Sequence, residues 1–248
     1  MGEAVFDGLD ARSLAARLGL SACELYDRVG STMDLAHASA GRGAASGTLI
    51  LANEQDAGRG RSGRRWLSAP GDGLWMTLLE RPASPGGIEV LSLRAGLFIA
   101  EALDALAGER VRLKWPNDLY VGEGKLAGIL IEARWRDQRV EWVAIGVGVN
   151  VVPAADIEGA AGLAVGVSRL QALDAVLPAL RASAAVDGPL TTDELSRYAA
   201  RDLSVGRWAI QPASGVVAGI STTGELMVDT SSGPVACRTG SLVFAEDR

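Results

Sequence analysis

Two cysteines and one histidine are all the chain offers toward stapling or soft-metal chemistry in 248 residues. Cys23 and Cys237 stand near opposite ends with no Cys or His at ligand spacing beside them, which argues against a disulfide framework and against a zinc site. A reducing, cytoplasmic setting is the expectation. Also missing is any apolar run near the roughly 20 residues of a membrane span, or a basic region leading into an apolar one. Excess positive charge is absent too: 24 Lys and Arg against 30 Asp and Glu leave a net charge of -6 and a pI near 5.0. That balance disfavours a broad nucleic-acid surface. The expected partners therefore include neither DNA nor membrane.

What is present is enough apolar chain for one substantial domain and a small one. The positive charge is concentrated in one place. Gly58 to Trp66 reads GRGRSGRRW, with Arg59, Arg61, Arg64 and Arg65 within seven residues. Planar guanidinium groups suit bidentate recognition of phosphate or carboxylate. Gly58, Gly60 and Gly63 keep the backbone open, so that its N–H groups can join as a concave nest.

Along the chain, Ala11 to Leu18 reads as a short helix, and residues 1–20 are too few for a DNA-binding module. Ser31-Thr32-Met33-Asp34 opens a second helix, with a hydroxyl N-cap and Asp in the place of the usual capping-box Glu. TLILAN (48–53) and GLWMTLLE (73–80) read as strands. Ile88 to Leu106 reads as a long helix with Leu91, Ala95, Phe98, Ala102 and Leu106 toward the core. Val111 to Trp115, Leu126 to Arg136 and Arg139 to Val151 are strand candidates separated by Pro116-Asn117-Asp118, Gly122-Glu123-Gly124 and Arg136-Asp137-Gln138. Such short connections mean antiparallel hairpins. After a loop over 153–167, helices are expected at 168–186, interrupted at Pro178, and at 191–202. From Leu203 the chain changes to short β runs, as in a small barrel or sandwich.

Four stretches stand out together: GRGRSGRRW (58–66), KWPNDL (114–119), GKLAGILIE (124–132) and GVGVN (146–150). With Ser31-Thr32 and Gln55 upstream and a short β module at the end, the chain resembles the biotin–protein ligases from about residue 24 to its C-terminus. The resemblance implies an α+β fold: a mixed, largely antiparallel sheet with packed helices, of the class II synthetase-like kind, over 1–202, and a small SH3-like β-barrel over 203–248. It further implies that biotin and MgATP give biotinyl-5′-adenylate and pyrophosphate, and that the acyl group then passes to a lysine of a biotin carboxyl carrier domain. Some relatives add an N-terminal winged helix, and this chain looks like the ligase-only type. A monomer or weak dimer is the expected state.

By the same resemblance Arg59 and Arg61 meet the biotinyl and phosphate groups, and Lys125 the acyl phosphate. Ser31, Thr32 and Gln55 serve the polar ring of biotin. Gly128 and Gly146 lie where side chains would obstruct it, and Gly58 and Gly60 fall on the biotin side of the site as well. Relatives commonly carry Asn after the Ser-Thr pair; here it is Met33, whose backbone N–H is expected to remain usable. Arg64, Trp66, Asn117 and Asn150 fall on the nucleotide, Trp66 packing near adenine and Asn117 reading its edge. Asp118 is placed to orient Mg²⁺ or to assist the acceptor lysine, whose amine must lose a proton. His37 receives no role. Two rivals remain: a lipoate or octanoate ligase or transferase of similar architecture, and a non-catalytic nucleotide- or biotin-binding regulator.

An acyl adenylate hydrolyses when water reaches it, so the site needs a cover. The arginine loop, rich in glycine and like charge, is expected to order over the ligand. Limited proteolysis should cleave it more slowly with biotin or the adenylate present; equal cleavage rates would exclude that role.

Overall fold

The computed structural model describes residues 3–154 and 157–247. Apolar runs without alternation predict strands covered on both faces, and β2 (Thr48–Gln55) and β3 (Gly73–Glu80) are such strands. They sit in a seven-stranded sheet with β1 (Ala22–Val29), β4 (Arg112–Lys114), β5 (Asp118–Val121), β6 (Gly124–Arg136) and β7 (Arg139–Asn150). The order is β1-β2-β3-β7-β6-β5-β4, with only the β1–β2 pair parallel. The sheet is thus mixed and largely antiparallel, as expected.

Strand periodicity sends alternate residues to opposite faces. Leu49, Leu51, Leu74, Met76, Leu78, Ile145, Val147 and Val149 join the main core with α3 (Leu91–Ala107) and α4 (Arg169–Ala184). The other face carries only the short α2 (Thr32–Gly41), which buries Met33 and Ala36 against Ile50 and Ala144. Because α2 covers part of that face, the rest is left for a cleft. Helix α1 (Ala11–Leu18) lies beside β1.

A second, five-stranded antiparallel sheet forms a small C-terminal β domain. Its strands are β8 (Trp208–Gln211), β9 (Gly215–Ile220), β10 (Leu226–Thr230), β11 (Gly233–Cys237) and β12 (Val243–Phe244), in the order β11-β10-β9-β8-β12. Trp115 Nε1 donates to Gly224 O at 3.0 Å, tying the two sheets together.

Several elements depart from expectation. Strand β1 was not foreseen, because its sequence ACELYDRV mixes charge with apolar residues; as an edge strand it is mostly half-exposed. Strand β5 begins at Asp118, inside a stretch read as a turn. Helix α3 is buried nearly all round, including Leu93, Leu97 and Leu103 off the expected stripe, since α4 and α5 (Thr192–Ala199) add to its cover. Pro178 does not interrupt α4: it lies on the exposed side, where the carbonyl that loses its amide partner can meet water.

Arg94 is fully buried on α3. Its Nε lies 2.6 Å from Glu194 Oε1, and its other nitrogens donate to the carbonyls of Val186, Gly188 and Pro189. Glu194 also closes a capping box with Thr191 at the start of α5. Burial raises the carboxyl's pKa, but the Arg94 hydrogen bonds and the Thr191 N–H outweigh it and hold Glu194 below its ordinary value of 4.5. A depressed folded pKa contributes stability that is complete above the unfolded value and is lost as pH falls through the folded one. Urea midpoints of the wild type should therefore fall on acidification below pH 4.5, and Glu194→Gln should flatten that dependence. Glu194→Ala, leaving a buried guanidinium unpaired, should cost about 3–5 kcal/mol at neutral pH.

Candidate active site

The floor of the cleft is bare sheet. On the face that α2 only partly covers, Gly128 of β6 is the register partner of Gly148 of β7, and Gly146 stands opposite Leu130 on one side and Thr77 on the other. The Trp66 indole occupies the clearing: a Cβ at Gly148 would lie 2.5 Å from its Nε1, and one at Gly128 3.0 Å from its Cζ3. A Cβ at Gly146 would meet Met33 Cε at 2.8 Å. These two expected glycines make room for Trp66 and Met33 in the structure. Trp66 also packs edge-on to Trp75, with Lys125 Nζ 5.3 Å from its ring, and its buried Nε1 has no hydrogen-bond partner among the described residues.

The arginine segment is a tight hairpin and not an open nest. Gly60 N donates to Arg64 O and Trp66 N to Gly58 O, each at 2.8 Å, so these N–H groups are spent inside the loop. Ser62 (φ 56°) and Gly63 (φ 73°) turn its tip. Gly58 is needed because a Cβ there would lie 2.4 Å from Trp66 O; it stands behind the cleft and not in it.

The four arginines diverge. Arg59 pairs with Asp34 and Glu132, Arg64 donates to Ser241 Oγ at 2.7 Å in the C-terminal domain, and Arg65 donates to Asp56 O. Arg61 is half-buried and points at the cleft. Among the described residues its polar partner is Asn117 Oδ1 at 3.5 Å. Burial lowers its pKa, with nearby Asp118 opposing and Arg64 adding to the fall. Arg61 is thus a desolvated cation without a paired carboxylate.

At the other wall, Lys125 Nζ meets Asp118 Oδ1 at 2.7 Å. Asn117 turns its amide to Ile129 O at 2.8 Å, so that donor group is held by β6. The polar end of the cleft is a continuous network: Thr77 Oγ1 to Thr32 Oγ1 at 2.9 Å, Thr32 N to Gln55 Oε1 at 2.8 Å, and Gln55 Nε2 to Ser68 Oγ at 2.8 Å. Ser31 caps α2, and its hydroxyl takes the N–H of Met33 at 3.3 Å, so that N–H is not left usable. Asp34 does not close a capping box; it reaches outward to Arg59.

Ser31, Thr32, Met33, Gln55, Arg59, Gly60, Arg61, Arg64, Trp66, Asn117, Asp118, Lys125, Gly128 and Gly146 all line this one cleft, which is open to solvent and has a cavity volume of about 120 Å³. Its lining, an apolar floor with a few convergent polar groups, suits a small organic ligand. Asn150 lies outside it, at the end of β7, with its amide on Lys125 O at 3.2 Å; it faces a neighbouring hollow shared with Arg65, Trp66, Lys114 and Lys125. Sequence reading missed Thr77 and Gly148, and named Arg65 only as a member of the arginine cluster. Thr77 carried a signal: it is the one hydroxyl in the buried run of β3.

A sheet floor cleared of side chains, a cationic hairpin above it and an ion pair at its wall are features that suit a small anionic ligand. Residues 25–150 match the model of the Biotin/lipoate A/B protein ligase family, and the chain belongs to that family. It is 30% identical to the biotin–[acetyl-CoA-carboxylase] ligase of Mycobacterium tuberculosis, over 95% of each protein. To the bifunctional ligase/repressor BirA of Bacillus spizizenii it is 40% identical, over 52% of this chain and 40% of that one. The matches to such ligase/repressors thus span well under half of their length. In fold it is similar to the biotin protein ligase from Aquifex aeolicus in complex with biotin and ATP, with a TM-score of 0.71 and 24% identity, covering 90% of this chain and 98% of that one.

Gly148→Ala tests the clearing. The new methyl must displace the Trp66 ring, an overpacking cost of about 1–3 kcal/mol, and where that cost falls on the ligand-bound state binding weakens about 5- to 150-fold. Far-UV circular dichroism should be unchanged while binding falls; undiminished binding would free Trp66 of any part in the site.

Proposed function

We propose that the chain activates biotin with ATP to biotinyl-5′-adenylate and transfers the biotinyl group to a lysine of a biotin carboxyl carrier domain. The observation that carries this is Arg61: a half-buried guanidinium lacking a carboxylate partner, beside a polar network and an apolar floor. The biotin ligases among its relatives support the choice of acid.

In the first step a biotin carboxylate oxygen attacks the α-phosphorus and pyrophosphate leaves. Two anions must meet, so fixed cations in a poorly hydrated site lower the barrier. Arg61 and Lys125 flank the place where the charges converge, and Arg59 stands at the mouth. Thr32, Gln55 and Thr77 are already hydrogen-bonded in a row, which leaves little to reorganise when a polar ring docks. A ligand acceptor would satisfy the buried Trp66 Nε1. The nucleotide is assigned to the Trp66 side, toward Asn150 and Arg64.

Magnesium, when bound, would neutralise phosphate charge. Asp118 is the one carboxylate among the residues lining the cleft, and no cluster of three metal-binding side chains occurs among the described residues. That donor set suits a cation held mainly by phosphate oxygens and water. In the second step the acceptor amine attacks the acyl carbon and AMP leaves. Asp118 can take the amine's proton once Lys125 turns to the ligand.

Biotin-dependent ATP–pyrophosphate exchange should be present, and labelled biotin, not labelled lipoate, should reach a purified carrier domain. Arg61→Ala should lower exchange about 10²- to 10³-fold, the usual loss for one donor at a developing charge. Preferred transfer of lipoate, or exchange without biotin, would overturn the reading.

A further inference from the structure

Arg59 has both ends of its guanidinium occupied. Nη1 donates to Asp34 Oδ1 at 2.7 Å and Nη2 to Glu132 Oε1 at 2.5 Å. The two carboxylates are not equivalent: the Asp34 side chain is 62% exposed and that of Glu132 is 28% exposed. Glu132 is also backed. Its Oε2 meets Nε2 of His37 at 2.9 Å, and Trp142 Nε1 donates to Nδ1 of the same ring at 2.9 Å.

An indole N–H can only donate. Nδ1 of His37 is therefore the acceptor, the ring proton sits on Nε2, and it is donated to Glu132. The chain Trp142 to His37 to Glu132, met from the other side by Arg59, has a donor facing an acceptor at every link. Its members come from separate parts of the fold. Asp34 and His37 lie three apart on one face of α2. Glu132 stands opposite Ala144 across the β6–β7 register, and Trp142 lies two residues from Ala144, on the same face of the sheet.

The geometry points to Glu132 as a positioning residue for Arg59, with His37 fixing the carboxylate, and to Asp34 as the counter-ion that gives way to the anion of the substrate. This rests on the reading of the cleft as a biotin-activating site. A mostly exposed pair such as Arg59–Asp34 is screened and weak, whereas a partly buried carboxylate with a second donor is held in place. An incoming carboxylate or phosphate replaces Asp34 at Nη1, and Glu132 keeps Nη2. The guanidinium plane then already faces the cleft when substrate arrives, and little orientation is left to be lost on binding.

The test is steady-state biotin-dependent ATP–pyrophosphate exchange, separating KM for biotin from kcat, with thermal unfolding recorded for each protein. Glu132→Gln puts an amide donor against the donors of His37 or Arg59 and should raise KM for biotin about tenfold, the loss of one charge-assisted hydrogen bond. His37→Ala should raise it in the same direction. His37→Gln, whose amide can donate to Glu132 and accept from Trp142, should recover most of the loss. Asp34→Asn removes a competing anion and should not raise KM. An unchanged KM in Glu132→Gln and His37→Ala overturns the proposal, as does a His37→Gln protein as impaired as His37→Ala. So does an Asp34→Asn protein with a KM raised as far as that of Glu132→Gln. Absence of exchange in the wild type would instead sink the biotin-activating reading itself.

Discussion

The site depends on a stretch of β-sheet that has no side chains to present. Gly128, Gly146 and Gly148 clear one face of β6 and β7, and everything else in the cleft is arranged around that clearing. An indole can lie flat on the backbone there, a helix can end at its edge, and the arginine hairpin can fold over it. The opposite face of the same strands packs into the main core. Two strands thus serve as interior on one side and as binding surface on the other. The division follows from the period-2 alternation of strand side chains.

Electrostatics give the cleft its character. The chain is acidic as a whole, yet Arg59, Arg61, Arg64 and Lys125 line one hollow. Most of these cations are held in advance by Asp34, Glu132, Asp118 or Ser241, so their side chains start in defined positions. Arg61 is the exception, and burial makes its charge costly until an anion arrives. A protein can carry such a group only where the surrounding fold holds it.

Much of this was legible in the sequence because the informative residues are close together along the chain. GRGRSGRRW, KWPNDL and GKLAGILIE each place several cleft residues within a few positions, and the apolar runs of β2 and β3 announce covered strands. Less legible was whatever depended on distant partners. Asp34 looked like half of a capping box, and only the fold brings Arg59 to it. Met33 N–H looked available until Ser31 was seen to cap it. His37 carried no local signal, since its partners Glu132 and Trp142 lie about a hundred residues away. Edge strand β1 lacks the apolar pattern because half of its surface meets water, and Pro178 sits within a helix because its free carbonyl side is exposed.

Arg64 reaches across to Ser241, while Trp115 reaches to Gly224. The hairpin above the cleft is therefore tied to the C-terminal domain near its tip, and the first sheet is tied to the same domain at Trp115. Grafting the terminal β module of a relative onto this chain would have to keep an acceptor for each of these hydrogen bonds. Modular exchange within this architecture is constrained by such cross-links, which include Leu190 N to Thr222 O at 2.8 Å and Lys114 over the Phe244 ring, as much as by the shape of the joint.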